Sequence, residues 1–185
     1  MFRLSVGGGL ELRQFEEVHT DELFRVIDHN RAYLREWLPW VDGSRLPSDT
    51  RHFIRTAREQ FENQDTISSG IWVDGQLAGA IGVHKIDWAN RNTSIGYWLD
   101  AAQQGRGIMT RACRAMVDHV FREFGLHRLE IRCATGNERS CAIPHRLGFT
   151  REGVLRETQW LYDRFVDLVV WSMLDDDWRK RESKC

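Results

Sequence analysis

The sequence predicts a mixed α/β layer fold on three observations: segments with helical spacing come first, a run of alternating residues follows, and a strand, helix and strand crossover comes after. Leu10 and Leu12 alternate around Glu11 as a first strand. Thr20 and Asp21 offer caps for a helix carrying Leu23, Phe24, Val26 and Ile27, and a helical stretch continues through Tyr33, Leu34 and Trp37 to Pro39. Ser48 is expected to cap a further helix with Phe53, Ile54, Ala57 and Phe61 on one face. Period-two runs over 67–73, 76–86 and 93–99, joined by Asp74-Gly75 and Asn90-Arg91-Asn92, make an antiparallel meander. Helical spacing returns at Thr110 with Ala112, Cys113, Met116, Val117, Val120 and Phe121, and stops near Gly125. Residues 128–135 read as a strand, 138–147 as a short helix, and 150–160 and 165–174 as a closing strand pair. The charged tail, 175–185, is expected to fray.

Composition bounds the rest. A chain of 185 residues, 42% hydrophobic, with eight Trp and nine Phe, carries enough apolar material for one packed domain over 1–185 and excludes disorder. Twenty-six basic residues against 27 acidic ones leave a net charge of −1, so neither nucleic acid nor an anionic membrane is an expected partner. No apolar run is long enough to span a bilayer, and the first residues lack signal-peptide organisation, so a cytoplasmic protein is expected. Cys113, Cys133, Cys141 and Cys185 show no CxxC spacing and the histidines no HxxxH partner, so no metal is expected.

The segment Leu99-Asp100-Ala101-Ala102-Gln103-Gln104-Gly105-Arg106-Gly107-Ile108-Met109-Thr110 joins a strand to an amphipathic helix through two glycines. Such a turn lets the backbone approach an anion and presents it with unpaired N–H groups and the positive end of the helix dipole. Arg106 and Arg111 add mobile positive charge. Plain turn chemistry is the alternative, and no Lys-Ser or Lys-Thr pair follows to make a nucleotide P-loop.

Read together, Ile95-Gly96-Tyr97-Trp98-Leu99, Gln104 to Thr110, Asn137-x-x-Ser140 and Leu147-Gly148-Phe149 resemble the GCN5-related N-acetyltransferases, and within them the RimJ/RimL-type ribosomal-protein N-terminal acetyltransferases. The match in order and spacing covers nearly the whole chain. It implies a mostly antiparallel central sheet with a splayed parallel pair, here 93–99 and 128–135, between which acetyl-coenzyme A threads its pantetheine arm. Trp98 and Leu99 would hold that arm, and Gln104, Gly105, Arg106, Gly107, Ile108, Met109, Thr110 and Arg111 would hold the pyrophosphate. Met109 stands where the family often has Gly or Ala. The resemblance also implies that Ser140 lies by the coenzyme sulfur as the acid for the departing thiolate and that Asn137 holds the pantetheine. The alternative is that Asn137 caps its helix and Ser140 satisfies a backbone group. Pro144, four residues after Ser140, cannot donate to its carbonyl, so a kink is expected there.

The base is less legible. Related enzymes can carry a Glu two residues before the Gly of the Ile-Gly-Tyr strand, where this chain has Ser94; Glu36 and Glu157 are the remaining carboxylate candidates. Trp37 and Trp40, in Trp37-Leu38-Pro39-Trp40, resemble the acceptor-side region of the family and could wall a peptide groove, although core packing is the commoner fate of Trp, and Arg128, Arg132 and Arg139 suit an acidic acceptor or are simply solvated. Freeing an α-amine of its proton at pH 7 costs roughly 1 kcal/mol and a lysine roughly 4.6 kcal/mol, so a site without a strong base fits an α-amine. The expected function is acetyl transfer to such an amine, in a ribosomal or other protein. A small-molecule amine acetyltransferase of the antibiotic-modifying kind is the first alternative, and a non-catalytic acyl-CoA-binding module the second. A homo-oligomer is left open.

Overall fold

A computed structural model describes residues 1–183. Its centre is an eight-stranded sheet in the order β1-β2-β3-β4-β5-β6-β8-β7, made of Arg3–Gly7, Leu10–Gln14, Ile67–Val73, Gln76–Val83, Asn92–Leu99, Arg128–Ala134, Thr150–Leu161 (β7) and Arg164–Leu174 (β8). Every neighbouring pair is antiparallel except β5 and β6, the pair joined by a helical crossover. Helices α1 (Thr20–His29), α2 (Arg31–Arg35) and α3 (Pro47–Glu62) precede β3, α4 (Ile108–Glu123) links β5 to β6, and α5 (Glu138–Arg146) links β6 to β7.

Alternation along the strands sorts side chains onto two faces. Leu12, Ile71, Ile81, Ile95 and Ile131 pack with Ala112, Met116 and Val120 of α4 in the larger core. A smaller cluster, Phe15, Leu23, Ile27, Ile54, Trp72 and Leu77, holds α1 and α3. The Asp74-Gly75 turn has φ of 50° and 82°, the left-handed pair that a two-residue hairpin requires.

Several local expectations change. The first strand is Arg3–Gly7, which pairs with Leu10–Gln14 through Gly7, Gly8 and Gly9, all at positive φ. Ser48 does not cap α3: the cap is Leu46 with Pro47 after it, and Asp49 reaches back to accept from the N–H groups of Arg45 and Leu46, both at 2.9 Å. Thr20 lies inside α1, where its hydroxyl donates to the Glu17 carbonyl at 2.6 Å. β4 stops at Val83, short of the expected Ile86, whose N–H goes to the Asp65 carbonyl, 2.9 Å away. The tail does not fray: Asp175–Glu182 form α6, with three Asp in its first turn and Arg179, Lys180 and Arg181 in its last, the arrangement that complements a helix dipole. Trp178 stacks on Phe121 with ring centroids 5.4 Å apart and fixes α6 to α4. Lys184 and Cys185, the end of that tail, lie outside the described residues.

Candidate active site

The loop after β5 leaves the sheet along a fixed path. Asp100 donates its N–H to the Ala78 carbonyl at 2.8 Å and accepts from the Ala102 N–H at 3.0 Å, while the buried Asn30 accepts from the Ala101 N–H at 3.0 Å. Gly105 and Gly107 follow with φ of 76° and 71°, a region closed to most side-chain-bearing residues. Gly107 is the N-cap of α4. The N–H groups of Ile108, Met109 and Thr110 therefore have no acceptor within the helix, and the first to turn back is that of Arg111, to the Gly107 carbonyl at 3.1 Å. These are the donors a pyrophosphate needs. The Ile108 and Met109 side chains are buried in the larger core, so Met109 offers the loop only its N–H and the bulk of its side chain does not intrude.

The flanking side chains are partly tethered. Gln104 donates to the Tyr33 hydroxyl and accepts from Arg139, and Arg106 donates to Gln103. Arg111 does not stand free as expected: its guanidinium donates to the Gly7 carbonyl and ties α4 to the first hairpin.

β5 and β6 pair only from Asn92↔Arg128 to Ile95↔Ile131, and then part. On its other side β5 pairs with β4 as far as Gly79↔Leu99. The His84 N–H donates to the Ser94 carbonyl at 2.9 Å, so alternation turns Gly96 and Trp98 toward β4 and leaves the backbone groups of Tyr97 and Leu99 facing the gap. An amide-bearing arm laid in that gap would meet a strand edge ready to pair. This corrects one expectation: Leu99 offers its backbone, whereas the backbone of Trp98 is used in the sheet.

A cavity of about 850 Å³ opens beside the splay, lined among others by Trp37, Trp40, His84, Trp98, Arg132, Asn137 and Ser140. Its outer wall is the Trp37-Leu38-Pro39-Trp40 loop, braced by Tyr162, whose hydroxyl donates to the Leu38 carbonyl at 2.6 Å. Trp40 leans on Trp98 with centroids 6.2 Å apart. Asn137 caps α5 through its side-chain oxygen, which accepts from the Ser140 N–H at 3.1 Å. The cap thus fixes the backbone of the first turn of α5 at Ser140. α5 runs on through Pro144, and the Ser140 carbonyl that the proline leaves unpaired accepts from the Tyr97 hydroxyl at 3.1 Å. Burial holds the Tyr97 phenol well above its ordinary pKa, so it remains a donor.

Two carboxylate candidates are absent from this cavity. Glu36 is exposed at the end of α2, and Glu157 sits exposed in the irregular stretch of β7, its N–H on Asp167 at 2.7 Å. Ser94 is near it in another way, with its hydroxyl 2.9 Å from Nδ1 of His84. Sequence reasoning missed His84 because its partner comes from the next strand. His84 is exposed toward the cavity, yet the protein packed around its ring, and then the nearby Arg132, lower its pKa below the usual histidine value, which favours the neutral ring. Arg128 is not available to an acceptor: it is paired to both Glu130 and Glu152 at 2.7 and 2.6 Å. The sulfurs of Cys133 and Cys141 lie 2.8 Å apart beside Ser140's helix, and among the described residues no group of three or more His, Cys, Asp or Glu could hold a metal.

The comparisons point the same way. Residues 9–150 match the acetyltransferase (GNAT) domain. A Bacillus subtilis (strain 168) protein named "Putative ribosomal N-acetyltransferase YdaF" is 34% identical over 96% of this chain and 98% of its own length. The ribosomal-protein-serine acetyltransferase of Escherichia coli (strain K12) is 29% identical over 94% of this chain and 97% of its own. A solved structure of RimL, a ribosomal L7/L12 alpha-N-protein acetyltransferase in complex with coenzyme A, superposes with a TM-score of 0.91 at 27% identity, covering 95% of this chain and 99% of that one.

Proposed function

The chain belongs to the acetyltransferase (GNAT) domain family, and from that premise we propose that it acetylates the N-terminal α-amine of a ribosomal protein in the cytoplasm, residues 1–185 acting as one unit. It is an N-acetyltransferase, and acetyl-CoA is its co-substrate. The observation that carries the reading is the splay after Ile95 and Ile131, with the open N-terminus of α4 at one end and Ser140 beside the cavity at the other.

When bound, the coenzyme supplies an activated thioester carbonyl. Tyr97 and Leu99 would hold the arm by their backbone, and Ile108, Met109 and Thr110 would hold the pyrophosphate by theirs. Asn137 fixes Ser140, whose hydroxyl serves the departing sulfur as proton donor. Trp37, Trp40 and Trp98 make an apolar wall suited to the first residues of an extended peptide.

The test is turnover of acetyl-CoA on peptides with a free α-amine, on N-terminally blocked lysine peptides and on small-molecule amines including aminoglycosides. An α-amine is roughly a tenth neutral at pH 7 and a lysine about four parts in ten thousand, so α-amine peptides should lead by more than two decades. Equal rates on blocked lysine peptides at pH 7, or turnover confined to small molecules, would overturn the reading.

A further inference from the structure

The last paired rung between β5 and β6 is Ile95↔Ile131, so the splay opens at Gly96. The ring of His84 lies over that residue: a Cβ at position 96 would stand 2.8 Å from Nε2, so any larger residue there would push the ring aside. The other ring nitrogen, Nδ1, is 2.9 Å from the Ser94 hydroxyl, and the His84 backbone is held by the Ser94 carbonyl at 2.9 Å and the Thr93 hydroxyl at 2.8 Å. His84 is therefore an oriented imidazole at the mouth of the splay, lining the same cavity as Ser140. Nothing in the mechanism above uses it.

We propose that His84, oriented by Ser94, takes a proton through Nε2 from the ammonium group of the acceptor before that amine attacks the acetyl carbonyl. With Nδ1–H donating to Ser94, Nε2 carries the lone pair. The inference rests on the amine-acetylating reading of the same site and deepens it. The acceptor arrives as an ammonium and gives one N–H proton to His84. The neutral amine then forms the N–C bond, the C–S bond breaks, and the second proton passes from nitrogen to sulfur through the Ser140 hydroxyl. His84 returns its proton to solvent, so the products are an amide, a thiol and one released proton.

The charged groups facing His84 from neighbouring elements are few. Arg132 of β6 lies on its side and is paired to Glu130 at 2.7 Å, and Lys85 lines the same cavity from the adjoining residue. Arg132 disfavours a protonated ring, which favours a free Nε2 at neutral pH and helps the proton go on to water. Even at the ordinary histidine value, transfer from an α-amine is uphill by roughly twentyfold, and from a lysine by almost four decades. The same residue thus suits an α-amine and fails a lysine.

The experiment is kcat/KM for the acceptor between pH 5.5 and 9 in the wild type, His84→Ala and Ser94→Ala, with and without added imidazole, alongside KM for acetyl-CoA. Without His84 the enzyme depends on amine already neutral in solution. The His84→Ala deficit should then be roughly tenfold near pH 7, grow toward a hundredfold near pH 6 and vanish above pH 8.5. Imidazole should restore part of it, and KM for acetyl-CoA should hold. Ser94→Ala should show a smaller deficit of the same pH shape, and it carries the test if His84→Ala does not fold. A loss equal at every pH and indifferent to imidazole, or no loss, overturns the proposal while α-amine turnover by the wild type leaves the acceptor reading intact. If the wild type instead acetylates only another amine, that reading falls, and the same pH shape and imidazole response measured on that amine decide His84 independently.

Discussion

The Tyr97 hydroxyl donates to the Ser140 carbonyl at 3.1 Å, and so fills the place that the missing N–H of Pro144 leaves in α5. One strand of the splay thereby holds the helix that carries the candidate acid. Tyr97→Phe should cost about 1–3 kcal/mol by orphaning that carbonyl, which in a chain of this size is roughly 2–4 °C of Tm per kcal/mol. Pro144→Ala restores an intrahelical donor, so the same Tyr97 change should cost less in that background; thermal melts of the double-mutant cycle check it, and additive losses would break the link.

Ser140→Ala should lower kcat about tenfold to a hundredfold with little change in coenzyme affinity. The helix survives because Asn137 caps the Ser140 N–H, which alanine retains. Steady-state kinetics and calorimetry separate the two outcomes. Parallel losses in rate and binding would make the hydroxyl a positioning group instead.

Gly107→Val should weaken coenzyme A binding at least tenfold. The space is not the obstacle, since a Cβ there meets nothing within 4 Å; the left-handed φ of 71° is, because a β-branched residue pulls the backbone out of it and turns the loop N–H groups away. Gly107→Asn, which tolerates that conformation better, should lose less. Wild-type affinity should fall as salt rises, since Arg106 and the helix end are exposed to screening. Calorimetry on the three proteins at two ionic strengths checks all of this.

Acid should loosen the C-terminal side of the sheet. Arg128, and then the Ser172 hydroxyl at 2.7 Å, hold the Glu152 carboxyl down to about 2. An unfolded glutamate titrates near 4.3, so the folded value is depressed: the stabilisation is whole above about pH 5 and is lost as pH falls toward 2. Glu152→Gln should melt below the wild type at pH 7 and converge with it near pH 2. A gap that persists at pH 2 would assign the effect to packing.

How much of this was legible depended on whether a feature is local in the chain. The Asp74-Gly75 hairpin and the Gly105-to-Gly107 turn into α4 are written in consecutive residues, and both stand where the pattern put them. β1 was missed because Leu4 and Val6 are only partly buried and three glycines interrupt the alternation. α6 was missed because its charges act through their order along the helix, and its anchor, Trp178, finds Phe121 in a distant segment. The site divides in the same way. Asn137 and Ser140 share one helical turn and could be named together, whereas His84 acquires its role from Ser94 on the next strand and Tyr97 from a carbonyl 43 residues away.

The gap beyond Ile95 and Ile131 has a consequence for specificity. On the proposed reading, Tyr97, Leu99, Ile108, Met109 and Thr110 would meet the coenzyme through main-chain groups, which most replacements would also carry. The cavity proposed for the acceptor, by contrast, is lined by side chains such as Trp37, Trp40 and Trp98. On that reading, replacing side chains of the cavity wall would change which amine fits, while the main-chain donors of the gap and of the α4 N-terminus would stay in place for the same acyl donor.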